Sequence, residues 1–158
     1  MRSLRLTFIV VVALTALVAA GCGSSSSGPS KTDFNNGYKP LNAEILAIGS
    51  EVGATIQTAK SKSDAALATT FESLATRLDQ VKTKLTSLKA PDDYKSDVAA
   101  LDKALGTVSV DLHAIASSAK GHDAAGAKAA TQKLVADSPA LRDARRALAQ
   151  KTGAATGP

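Results

Sequence analysis

Beyond its aspartates, the side chains from which this protein could build chemistry are few: His113 and His122, the glutamates Glu44, Glu51 and Glu72, and the lone Cys22. His113 and His122 stand close to Asp111 and Asp123, and imidazoles near one end of a helical body can hold a metal or a haem iron. They are therefore the weak metal candidates of the chain. The plainer reading, a half-exposed helical histidine and a polar loop histidine, fits their spacing better. Asp111-Leu112-His113 has the composition of part of a catalytic triad, but residues two apart on a helix do not face each other. No glutamate is followed three positions later by histidine, so the Glu-x-x-His pair of di-iron bundles is missing. Met1 is the only methionine and Cys22 the only cysteine, which leaves no axial Met ligand and no c-type haem attachment. No strand is predicted, so no strand-to-helix phosphate loop is expected either. The sequence assigns no catalytic residue and no cofactor, and an enzyme is not expected.

Cys22 takes its meaning from what precedes it. Arg2 and Arg5 give a short positive start, Leu6 to Ala20 is almost uninterruptedly apolar, and Ala19, Ala20 and Gly21 are small. That order describes a secretory signal over residues 1–21. The apolar run is short for a bilayer span, which needs about 20 residues, and a Gly/Ser tract follows it instead of a positive stop-transfer flank. A signal cut at an Ala-x-Ala end would leave Cys22 as a bare thiol. An exported chain with one cysteine has no internal disulfide partner, and acylation of its sulfur resolves that difficulty. On Ala20-Gly21-Cys22 and the following GSSSSG, the chain resembles the bacterial lipoprotein family, of the small Ala-rich actinobacterial kind. Ala19 stands where leucine is commonest in that family. The resemblance covers residues 1 to about 30. It implies a diacylglyceryl group on Cys22, often with a further acyl chain such as palmitate, and two chains anchor stably where one binds marginally. It also implies residence at the extracytoplasmic face of the cell membrane.

Removal of residues 1–21 leaves one domain's worth of chain and takes Arg2 and Arg5 with it, so the formal net charge falls from +5 to +3. Residues 22–37, with Ser24 to Ser27 between glycines and then Pro29, read as a flexible tether of roughly 20–23 Å reach. Phe34, Tyr38, Phe71 and Tyr94 are the only aromatics of the mature chain. A chain so rich in Ala, Leu and Lys favours helices over a sheet.

From Tyr38 the apolar residues recur in steps of three and four. The first segment carries Leu41, Ile45, Ile48, Val52, Ile56 and Ala59, opening near Pro40 or Asn42. The second, opening at Ser61 or Ser63, carries Leu67, Phe71, Leu74, Leu78, Val81, Leu85 and Leu88. The third opens at Pro91 and carries Tyr94, Val98, Leu101, Leu105, Val108, Leu112, Ile115 and Ala119, with Gly121 as its stop. The fourth, about 123–151, carries Ala127, Ala130, Leu134, Leu141, Ala144 and Leu148. Pro139 should bend or break it, with Ser138 able to cap a renewed helix. Gly49 and Gly53, one turn apart, suggest close approach of a neighbouring helix, or simply a stability cost. Four such segments with short connections predict an all-α, antiparallel up-down-up-down four-helix bundle over residues 38–152, with 153–158 a disordered tail. Lys82 is expected to pair with Asp102, and Lys84 with Asp97.

In that topology the start of the first helix and the end of the fourth share one end, which the tether places beside the membrane. Arg142, Arg145, Arg146 and Lys151 then form a membrane-facing basic cluster suited to anionic lipid headgroups. Nucleic acid fits poorly, given export and so few aromatics. Two function classes remain: a cell-envelope interaction module engaging an envelope protein or an anionic surface, or a small-ligand, metal or haem carrier. An enclosed apolar cavity would favour the carrier, and a solid core beneath an exposed apolar groove the module.

Overall fold

Ser30 starts the first helix about two turns earlier than the tether reading allows. Its hydroxyl accepts a hydrogen bond from the Asp33 amide at 3.3 Å, capping helix α1, Lys31–Gln57. The computed structural model describes residues 28–157; the leader, Ala19, Ala20, Gly21 and Cys22 lie outside the described residues. Residues 31–37 are thus helix, not tether. Phe34 and Tyr38 are buried and extend the seam of Leu41, Ile45 and Ile48 towards the N-terminus. Gly37 and Pro40 do not break this helix. A Cβ at Gly37 would lie 2.7 Å from Leu88 Cδ2, so the glycine makes room for that side chain. Pro40 deprives only the carbonyl of Asn36, an exposed residue that water can reach.

A one-turn 3-10 segment, Ala59–Ser61, leads to helix α2, Asp64–Ser87, capped by the Ser63 hydroxyl on the Ala66 amide at 3.3 Å. Pro91 opens a 3-10 turn, Asp92–Tyr94, before helix α3, Lys95–Lys120. Helix α4, Ala124–Thr152, is capped by Asp123 on the Gly126 amide at 2.9 Å. The chain is all-α, an antiparallel up-down-up-down four-helix bundle. Helix α3 packs along most of its length against both α2 and α4, whereas α1 meets α2 and α4 over shorter stretches. No helix among the described residues is long and apolar enough to cross a membrane.

The core is the set of seams expected from periodicity: Leu74, Leu78, Val81, Leu85, Leu101, Leu105, Leu112, Ile115, Leu134 and Leu148 are all buried. Three of the four mature aromatics gather at one end of the bundle, with Phe34 stacked on Tyr38 at 6.1 Å and edge-on to Tyr94 at 5.5 Å.

Pro139 lies within one continuous α4. The carbonyl it leaves unbonded belongs to Val135, an exposed residue, while Leu134 and Leu148 are buried on either side and hold the helix to the bundle. Ser138 caps nothing; its hydroxyl donates to the Leu134 carbonyl at 2.6 Å. Gly49 and Gly53 do not admit a neighbouring helix, since a Cβ at either would meet nothing within 4 Å. Lys82 pairs with Asp102 at 3.4 Å as expected, but Asp97 is taken by Lys151 and not by Lys84.

The tail, 153–157, is also ordered into the fold. Gly153 adopts φ 66°, the left-handed conformation that lets the chain turn back after α4. The returning tail is held by Asn42 Nδ2 donating to the Ala155 carbonyl at 2.8 Å and by Arg145 donating to the Ala155 and Thr156 carbonyls.

Candidate functional site

Each of the three glutamates is engaged between helices. Arg77 of α2 takes both glutamates of α1: its Nε donates to Glu44 Oε1 at 2.8 Å and its Nη1 to Glu51 Oε2 at 2.6 Å. The Arg77 hydrogen bond holds the Glu51 carboxyl below its ordinary range. Glu72 of α2 meets His113 Nδ1 of α3 at 3.1 Å, and the other ring nitrogen lies 3.2 Å from Asp79 Oδ2. Asp79 in turn accepts from the buried Ser109 hydroxyl at 2.6 Å. The Asp79 contact, then burial opposing it, then Glu72, leave the His113 pKa raised above its ordinary 6.5.

The expected neighbour of His113, Asp111, points elsewhere. It is buried on the α4 side of α3, where Lys133 Nζ donates to Oδ1 at 2.7 Å and also to Asp137 at 2.6 Å. His122 occupies the turn between α3 and α4, and its Nδ1 lies 2.8 Å from Asp64 of α2 and not beside Asp123. The two histidines border one open, alanine-lined depression of about 700 Å3 between α2 and α3. They do not converge on a common point: both nitrogens of His113 already face different carboxylates. Among the described residues no group of three or more side chains could ligate a metal together.

The basic cluster is divided. Arg145 is buried, 3 % exposed, and its guanidinium turns inward to Asn42 and the returning tail, so it is not presented to a surface. The spacing that places it beside Arg142 and Arg146 also places it beside the seam residue Leu148. Burial depresses its pKa, and the Tyr38 hydroxyl lies 3.3 Å from its carbonyl. Lys151 bonds Asp97 and the Asp93 carbonyl, so its charge is met within the fold. Arg142 and Arg146 remain exposed.

A second, more apolar feature lies where α1 and α4 stand apart. A groove of about 730 Å3 runs between them, with Leu46, Val52, Val135 and Leu141 on its walls and Leu78 and Val108 forming its floor. Its charged lining is Arg142 and Arg145 alone. Helix periodicity assigns each helix one stripe and does not reveal this groove. The available signal was the doubling of apolar residues at Ile45-Leu46 and Leu134-Val135, which widens the two faces beyond a single seam; Val135 is 62 % exposed. Comparison with known proteins finds no matching family model, no matching curated protein and no matching solved structure.

Proposed function

We propose that this chain is a membrane-anchored extracytoplasmic lipoprotein, acylated at Cys22, that serves without catalysis as a cell-envelope interaction module. The observation that carries this reading is the α1–α4 groove, an open apolar face over a close-packed Leu/Val core. An open apolar groove rimmed by polar groups has the character of an interaction site. The lipid anchor rests on the residues around Cys22. With helix starting at Lys31, no more than eight residues, 23–30, separate Cys22 from the bundle, a chain length of at most about 26–29 Å, which keeps the bundle near the bilayer. A second reading, a small-ligand carrier, is favoured by the groove's volume of about 730 Å3, since ligand sites fall at about 300–1,000 Å3.

Two measurements test the proposal. Radiolabelled palmitate should enter the wild-type chain and not Cys22→Ser; equal labelling, or none in either, ends the anchor. A photo-crosslinking residue at Val135 should trap a partner in intact membranes, while one at exposed Gln80 of α2 should not.

A further inference from the structure

The charge around the α1–α4 groove is one-sided. Arg142 and Arg145 are its only charged lining residues, one turn apart on α4. Both sit at the end of the groove where the tail returns: a Cβ at Gly157 would lie 2.7 Å from Leu46 Cδ2, so the tail backbone closes that end. Beyond them the lining is aliphatic except for Gly49, Ser50 and Ser138.

Arg145 is the less ordinary of the pair. Its side chain donates to Asn42 Oδ1 at 3.2 Å, to the Ala155 carbonyl at 3.3 Å and to the Thr156 carbonyl. All three acceptors are neutral, and among the described residues no acidic side chain pairs with it. A guanidinium carries five N–H donors, so two have no acceptor among the described residues. With no acidic partner among the described residues, this buried guanidinium would gain from an anion placed beside it.

An aliphatic trough with two cations at one end complements an apolar chain with an anionic head. We propose that the α1–α4 groove binds a fatty-acid-like amphiphile, its carboxylate held by the exposed Arg142 at the end where the buried Arg145 adds positive charge, and its chain lying between α1 and α4 towards Val52 and Leu134. This rests on the reading of the groove as the working face. The single positive end of an otherwise uncharged lining favours an amphiphile with one anionic head over a partner helix.

The experiment uses the full chain carrying Cys22→Ser, titrated with the fluorescent fatty acid cis-parinaric acid and competed with palmitic acid, hexadecanol or an amphipathic helical peptide. Palmitic acid should displace the probe about tenfold more strongly than the uncharged alcohol, and Arg142→Gln should bring the acid close to the alcohol. Gly49 lines the groove and a Cβ there meets nothing within 4 Å, so Gly49→Phe should plug the groove and abolish binding with no loss of thermal midpoint. Equal affinity for acid and alcohol overturns the anionic head. Binding that survives Gly49→Phe overturns the location. Absence of binding, or displacement by the peptide alone, overturns the ligand class. If probe binding fails while the Val135 crosslink persists and is lost in Gly49→Phe, the groove stands as an interaction face and the amphiphile falls; if both fail, both readings fall.

Discussion

His122 holds a positive φ of 55°, the one non-glycine residue among those described to do so, while Gly121 before it sits at φ −82°. The left-handed conformation costs an L-residue about 1–2 kcal/mol, and glycine escapes that cost. The Asp64 contact that His122 would lose is exposed, and pairs of that kind contribute little. His122→Gly is therefore expected to stabilise the protein by about 1 kcal/mol in urea unfolding; a loss of stability would show that the Asp64 contact outweighs the strain. His113 gives a pH dependence of definite sign. Its pKa is raised in the folded state by Asp79 and Glu72, and the unfolded value is near 6.5. The protonated form is thus favoured by folding: its contribution is complete below pH 6.5 and is lost as the pH rises through the folded value. Wild-type stability should fall across that window, and His113→Gln should flatten the profile, with Lys120 and His122 on the same depression left in place.

At the scale of the helices, packing and the returning tail make separable contributions. Leu85 is fully buried in α2 against its neighbours, and Leu85→Ala should cost about 2–5 kcal/mol as a core truncation; a denaturant melt showing less than about 1 kcal/mol would remove Leu85 from the core. Deleting residues 153–158 should cost about 1–3 kcal/mol, because Asn42 and the buried Arg145 lose acceptors in Ala155 and Thr156. A free tail would cost nothing. Leu85 was legible in the sequence and the tail was not, and the reason is the range of the information. Steps of three and four report which side of a helix is buried, and that placed α2 and α3 almost residue by residue. They do not report what returns to cover Arg145 from outside its helix. Nor do they pair Arg77 with Glu44 and Glu51, which lie on another helix. The first two turns of α1 were obscured for a different reason. Gly37 and Pro40 carry strong local signals against helix, and burial of Phe34 and Tyr38 overrides them.

Across the whole molecule, the end that carries Lys31 also carries the α2–α3 connection and the last turn of α4, and much of its charge is cancelled there. Lys31 pairs with Asp93 at 2.6 Å, Lys95 with Asp92 at 2.7 Å, and Lys151 with Asp97. Arg145 is withdrawn into the fold. What stays exposed is a smaller set, Lys39, Lys84, Lys89, Arg142 and Arg146, opposed by Asp33 and Asp143. The proposed tether from Cys22 would hold this end next to the bilayer, within reach of anionic headgroups. An excess of a few exposed cations gives weak, salt-sensitive attraction, since charges separated by more than about 8 Å are largely screened at physiological ionic strength. The unlipidated Cys22→Ser chain should therefore sediment with anionic vesicles at low salt, stay in solution with neutral vesicles, and come off as salt is raised. Arg142→Gln with Arg146→Gln should weaken that sedimentation, while Lys151→Gln should change it least, because Asp97 already meets that charge. Sedimentation indifferent to vesicle charge, or none at low salt, would leave the acyl chains as the bundle's sole hold on the membrane.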